Sequence, residues 1–390
     1  MRIDKRRFEI GSGLRTAVSF SWWPSALLKL AYIIFISLGV FGPARAEKIP
    51  DKSYKSLSPM PILMYDKDIG FGYGGKIKFL DYLGKRESFD LILFNSSKGE
   101  RWYVFTFSIP DFEIRQNRSY ALSFDLKAEY DKFLKYTYYG LGPGSLKEDR
   151  TVLTHESSNL ALTLGRGFSP NFVFEVTYNA RWLKYSEPQE GPYQDVIEEM
   201  AARGRMFVPY LSLILRYDTS NSQIHPTRGV RFILRNDLAA KLTGSSDFAF
   251  NRSMADFRFY RTIFGAKDVL AGRALVQYVS GNEIPLFDYS ALGGGETTAA
   301  MRGYPVNRFL DKGKFLVNLE YRFPVIWRFG GNLFFDAGTV WPSLNQIKLG
   351  EAVFDAGLGL RFYLADFCVR VDAGFSREGT GIYFNFGHVF

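Results

Sequence analysis

The feature that most limits what this chain can fold into is a two-residue alternation, repeated along its length, in which both faces are committed. In 229–240, Val230, Phe232, Leu234, Leu238 and Ala240 share one face, while Arg231, Arg235 and Asp237 share the other. In 314–323, Phe315, Val317, Leu319, Tyr321 and Phe323 oppose Lys314, Asn318, Glu320 and Arg322. In 353–364, Phe354, Leu358, Leu360, Phe362 and Leu364 oppose Asp355 and Arg361. A period of two belongs to strands. Strand patterns fall at 59–66, 69–82, 88–96, 101–110, 119–131, 152–165, 171–185, 207–217, 229–241, 248–264, 268–281, 314–323, 329–340, 353–364, 367–375 and 381–390, sixteen in all. A sandwich could bury the apolar face, but about 340 residues of nearly helix-free strands exceed any ordinary single domain. An all-β, sixteen-stranded antiparallel transmembrane barrel satisfies both faces, apolar side to lipid and charged side to a wet lumen.

Composition agrees. Of 390 residues, 37 are Gly, 37 Phe and 23 Tyr, and a mean hydropathy of −0.10 excludes a polytopic helical membrane protein. The amino-terminal segment reads as a processing signal: Lys5, Arg6, Arg7 and Arg15, then the apolar run 30–41, then Ala44-Arg45-Ala46 as a small-x-small cleavage site. The expected organisation is a cleaved signal at 1–46, a short periplasmic lead at 47–58 and the barrel at 59–390. The formal net charge is +9, but 1–46 holds seven Lys/Arg against Asp4 and Glu9, which leaves +4 for the rest. That residue of charge argues for no nucleic-acid partner. The single cysteine, Cys368, lies in a strand pattern and reads as a packed thiol. The only histidines are His155, His225 and His388, with no metal-ligand spacing, so no metal or cofactor is expected.

Connection lengths alternate. Short turns fall at 81–87, 111–118, 265–267, 324–328 and 365–366; long ones at 132–150, 186–206, 282–313 and 341–352. With the amino terminus in the periplasm, the short set is periplasmic and the long set extracellular. One extracellular connection holds the glycine-rich stretch 292–304, ending Met301-Arg302-Gly303-Tyr304. An arginine between small and aromatic residues can fold back and meet a buried carboxylate.

Gly293-Gly294 with Arg302-Gly303-Tyr304, the segment 331–338 (GNLFFDAG), the turn 216–229 with its Asp, Asn, Pro and Gly series, the opening hairpin 59–75 and a terminal aromatic together resemble the barrel of the BamA/TamA superfamily, the bacterial surface antigen family. The resemblance covers 59–390. It implies a sixteen-stranded barrel whose sixth extracellular loop folds into the lumen. It makes Arg302, with Gly303 and Tyr304, a loop tip locked by Glu320 and Asp336. Alternation independently places those two carboxylates on the lumen face of adjacent strands. It also implies a lateral seam between the first and last strands, where Pro59 and Pro61 remove ladder donors, Gly387 can kink the strand and Phe390 ends it. Relatives that insert or secrete proteins carry periplasmic POTRA domains, and another branch carries a patatin lipase; 47–58 is too short for either.

Two functions follow as expectations. One is an assembly or translocation barrel without its own POTRA domains, partnered by outer-membrane lipid and by client outer-membrane proteins or a separate periplasmic chain. The alternative is a passive pore or structural barrel. Both monomer and homo-oligomer stay open. An enzyme is not expected: His155 with Ser157 or Ser158 is the only loose candidate, and His155 reads as a strand-end or wet-rim residue. His388 reads as part of the last strand's apolar face, and His225 as a turn residue.

Overall fold

The computed structural model describes residues 54–390 except 67–69, 187–190, 246, 266–267 and 364–367. The expected signal segment and most of the lead lie outside the described residues. Nineteen strands follow: β1 (Ser56–Asp66), β2 (Gly70–Leu80), β3 (Ser88–Ser96), β4 (Arg101–Ile109), β5 (Tyr120–Tyr138), β6 (Thr151–Ser169), β7 (Phe172–Tyr185), β8 (Arg205–Phe207), β9 (Tyr210–Asp218) and β10 (Gly229–Ala239). Then come β11 (Ala249–Thr262), β12 (Val269–Glu283), β13 (Ser290–Leu292), β14 (Phe309–Asp311), β15 (Gly313–Ile326), β16 (Phe329–Trp341), β17 (Val353–Tyr363), β18 (Cys368–Ser376) and β19 (Gly379–Phe386). Two short helices, α1 (Phe112–Arg115) and α2 (Gln194–Ala202), sit in connections.

Seventeen of these strands form one antiparallel sheet. Both β8 and β9 pair with β7, on either side of Val208-Pro209, so they make one interrupted stave. The result is a sixteen-stave meander, a transmembrane barrel. The remaining pair, β13 and β14, is a small hairpin within the loop between β12 and β15. Ladders join each stave to the next from β1 to β19. Among the described residues no ladder joins β19 back to β1.

The two faces separate as the alternation requires. Phe354, Leu358 and Leu360 of β17 are exposed on the outside, whereas Asp355 and Arg361 are buried. The same holds on β15, where Leu319 is exposed and Asn318, Glu320 and Arg322 are buried. The interior is therefore polar but not empty.

Three features differ from the sequence reading. First, β5 continues past the expected end at 131 to Tyr138, pairing there with the start of β6 at Thr151, well beyond a bilayer's needs. Their extensions join β7, α2 and the loop after β12 in a core outside the membrane band, with Tyr138, Leu153, Leu183, Tyr185 and Ile197 fully buried. Second, the connection 186–206 holds a helix, α2, whose Ile197 anchors that core. Third, the last strand stops at Phe386. Gly387 adopts φ +78, a left-handed conformation that glycine takes without the Cβ clash, and the chain turns inward. Phe390 is consequently buried in the lumen with Val389, Tyr260, Val269, Ala271 and Ala300, not on the outer face of the seam.

Candidate functional site

The lumen-facing side chains of β15 to β18 form a charged wall, and the loop between β12 and β15 folds against it. The Arg302 guanidinium makes a bidentate bond to Asp336, Nε to Oδ2 and Nη2 to Oδ1, both 2.9 Å. Its Nη1 donates to Glu320 Oε1 at 2.6 Å and lies 3.5 Å from Asp372 Oδ2. The backbone N–H of Arg302 also donates to Asp336 at 3.3 Å. The guanidinium carbon lies over the Phe334 ring, 3.5 Å from its centroid, a cation–π contact. Arg302, Glu320, Asp336 and Asp372 are all 0% exposed. Burial works against the arginine's charge, but Asp336, Glu320 and Asp372 outweigh it and hold its pKa above the ordinary value.

The surrounding network decides whether so much buried charge is tolerable, since an unpaired buried ion costs several kcal/mol. Arg322 Nε donates to Glu320 Oε2 at 2.8 Å, and Asn332 Nδ2 to Glu320 Oε1 at 3.2 Å. Asn318 Nδ2 donates to Asp336 Oδ1 and to the Ala300 carbonyl, each at 2.8 Å. Arg361 Nη1 and Arg370 Nη1 bind the two oxygens of Asp372 at 2.7 and 2.6 Å. Arg302, Arg322, Arg361 and Arg370 thus share the carboxylates of Glu320, Asp336 and Asp372.

Close approach of the loop backbone depends on the wall as well. A Cβ on Gly374 would lie 2.3 Å from the Arg302 carbonyl carbon, and one on Gly381 2.4 Å from its oxygen. Gly303 meets the wall in the same way, 2.6 Å from Asp355 Cβ. Its carbonyl accepts from Ser376 Oγ at 2.7 Å, and the Tyr304 carbonyl accepts from the Tyr383 hydroxyl at 2.6 Å. Met301, Tyr304, Phe309 and Leu292 pack with Leu275, Leu316 and Val340 in an apolar cluster above the arginine. Further along the loop, Arg308 clamps Glu378 with Nε at 2.6 Å and Nη2 at 2.9 Å, and donates to Ser145.

Arg302, Gly303, Tyr304, Glu320 and Asp336 are therefore brought together in one place. The other four sequence candidates are divided. Pro59 and Pro61 lie in β1, which pairs with β2 without a break from Ser56 to Asp66. Gly387 and Phe390 belong to the inward tail. The Phe390 carbonyl accepts from Arg322 Nη2 at 3.1 Å, so the tail rests beneath the loop tip through the residue that also holds Glu320. His388 follows it inward, its ring 5.9 Å from Tyr363 and 5.7 Å from His225 of the periplasmic turn, which corrects its assignment to the last strand's outer face. Asp372, Arg361, Arg370, Gly374 and Gly381 were not among the sequence's site candidates, although Arg361 was read on a charged face. The signal that could have found the charged three was their parity, charged positions in otherwise apolar strand patterns.

His155 is also corrected. It is buried under the extracellular core, stacked on Phe287 with centroids 4.3 Å apart and planes at 5°, and neither ring nitrogen has a hydrogen-bond partner. It does not pair with Ser157 or Ser158. Beside it, Asp288 accepts from Arg181 Nη1 at 3.0 Å and Arg252 Nη1 at 2.8 Å, tying the loop to β7 and β11. Among the described residues no group of His, Cys, Asp and Glu is arranged to hold a metal ion.

A profile of the Omp85 superfamily domain matches residues 82–390. Among solved structures, the fold is similar to BamA from Haemophilus ducreyi lacking POTRA domains 1–3, at 15% identity and a TM-score of 0.57, over 93% of this chain and 77% of that one. It is similar to CdiB from Escherichia coli at 10% identity and 0.57, over 85% and 61%, and to CdiB from Acinetobacter baumannii at 13% and 0.51, over 85% and 59%. The chain spans about three-fifths of the length of the two CdiB chains. None of the curated protein sequences is significantly similar to it. At these identities the structural likeness speaks for the fold, while the profile covers most of the sequence. The chain is a member of the Omp85 superfamily, a β-barrel of the Gram-negative outer membrane.

Proposed function

We propose that this chain assists insertion or translocation of outer-membrane proteins by offering a strand edge at a lateral seam. The observation that carries the reading is the run of ladders that begins at β1 and ends at β19, with no ladder between the two among the described residues. A strand edge presents unpaired N–H and C=O groups that another strand can join. Pro59 and Pro61 thin the donors of β1, and the turn at Gly387 ends β19 early. The outer flank of the first strands adds an apolar groove lined by Pro59, Pro61, Ile77, Leu91 and Leu93.

In this reading the Arg302 lock with Glu320 and Asp336 stiffens β15 to β18, so that the β1 side of the seam yields first. The chemistry is strand pairing, with no covalent step and no catalytic residue, metal or cofactor. Partners are lipid and either a client barrel or a separate periplasmic chain. Vesicles carrying the purified chain should accelerate heat-resistant folding of an unfolded client barrel over protein-free vesicles; equal rates would overturn the reading.

The polar lumen face of β5, where Lys127, Glu129 and Asp131 are only half-buried, favours a second reading, a passive pore. Under it, Arg302→Ala should change single-channel current in planar bilayers, and the absence of current from either form would exclude it.

A further inference from the structure

The outward face of β4 to β8 carries a row of charge at one height. The ladders set Arg101 opposite Lys132, Lys132 opposite Glu156, Glu156 opposite Lys184, and Lys184 opposite Arg205. These positions share strand parity with Phe105, Leu160, Leu162 and Phe207, which are exposed on the barrel's outside. The row beneath, two residues towards the periplasm, is Tyr103, Tyr130, Ser158, Trp182 and Phe207. Tyr103 and Tyr130 have ring centroids 5.8 Å apart, and Trp182 and Phe207 5.0 Å. This is an aromatic girdle.

Its height follows from β7. The opposite girdle on that strand is Phe172, with its ring 6.0 Å from Phe168. From Phe172 to Trp182, at ~3.4 Å per residue and a tilt of ~40°, the rise is roughly 26 Å, the height of an outer-membrane apolar band. The charged row then lies roughly 5 Å above the band, at the level of lipid headgroups in the outer leaflet.

The row is also electrostatically incomplete. Like charges directly opposite each other on neighbouring strands repel, and both Arg101 with Lys132 and Lys184 with Arg205 are such pairs. Glu156 is the only acid in the row, 3.7 Å from Lys132, with both side chains about 30% exposed. Arg205 is steered downward onto the girdle by a 3.0 Å bond from Nη2 to Ser158 Oγ. At the extracellular end of β10 and β11, by contrast, the outward polar residues are uncharged and bond one another, as Asn236 does with Asn251 and Ser253.

We propose that Arg101, Lys132, Lys184 and Arg205 form a docking site for a phosphate-bearing lipid headgroup of the outer leaflet. An anion between the opposed cations relieves both repulsive pairs. The arginines suit bidentate contact with phosphate oxygens and the lysines supply point charge. The girdle and the exposed Leu160 and Leu162 receive the acyl chains. The proposal is independent of any assembly activity, and so is its test.

The chain, in phosphatidylcholine nanodiscs, is titrated with bisphosphorylated lipid A and with its dephosphorylated form, and bound lipid is counted by native mass spectrometry. Wild type should retain the phosphorylated lipid selectively, and Lys184→Gln with Arg205→Gln should weaken retention roughly 30-fold. Arg101→Gln provides a second, independent variant if the double one folds poorly, and Lys348→Gln, on an exposed loop residue paired with Glu351, should change nothing. Equal retention of both lipids, a double variant within about threefold of wild type, or displacement by equimolar inorganic phosphate would each overturn the proposal.

Discussion

Arg302 is held by two carboxylates whose positions were legible because a lumen face must contain the charged half of each alternating strand. Glu320 and Asp336 stand at such positions in 314–323 and 329–340, and the loop's Arg-Gly-Tyr tip supplied the third member. Asp372 was equally readable by parity in Val369-Arg370-Val371-Asp372, yet no motif drew the eye to it. Removing the arginine leaves three buried acids without their shared cation. Arg302→Ala should therefore destabilise the barrel by about 3–5 kcal/mol, read as a lower temperature for loss of the compact, heat-modifiable band in gels. Arg302→Lys should recover only part of this, because an ammonium cannot make the paired bonds to Asp336. Full recovery by lysine would mean that charge alone matters. Phe390 marks the opposite case. Its even number keeps it in phase with Ile382 and Phe384, both exposed outside, and only the positive φ of Gly387 takes it out of that series. Gly387 was legible as a kink, but nothing in the residue pattern shows that the kink turns the chain inward.

At the scale of elements, the loop between β12 and β15 and the wall of β15 to β19 form one unit, because the wall is shaped for the loop's backbone. Gly374 and Gly381 are the sequence's least informative residues in strand patterns, where glycine ordinarily only weakens a strand. Here each marks the place where Arg302 presses on the wall. Gly374→Ala and Gly381→Ala should lift the tip, exposing 293–304 to added protease on intact vesicles. Gly144→Ala, with nothing near its would-be Cβ, should not. If the first two variants stay as resistant as wild type, the wall's shape does not govern the loop. The extracellular core was illegible for another reason: the extra turns of β5 and β6 continue the strand period beyond the lipid, and hydrophobicity alone does not reveal that Tyr138 and Leu153 face a dome and not a bilayer.

The described residues form a sixteen-stave barrel with polypeptide folded into its lumen. The loop, α2 and the extensions of β5 to β7 cover the extracellular end, and the tail from Gly387 to Phe390 lies across the periplasmic side of the loop tip. Asp288 accepts from both Arg181 and Arg252, so Asp288→Ala should loosen the cover and raise single-channel conductance; unchanged current would mean that the cover does not limit passage. The barrel class and stave number were readable because sixteen alternating segments admit few other solutions. What the sequence could not carry was closure, which depends on a pairing between its two ends. The most direct measurement engineers one cysteine on β1 and one on β19, in a Cys368→Ser background, and follows client insertion before and after oxidation. The crosslinked seam should abolish insertion and reductant should restore it, whereas insertion at an unchanged rate through a closed seam would contradict a lateral opening.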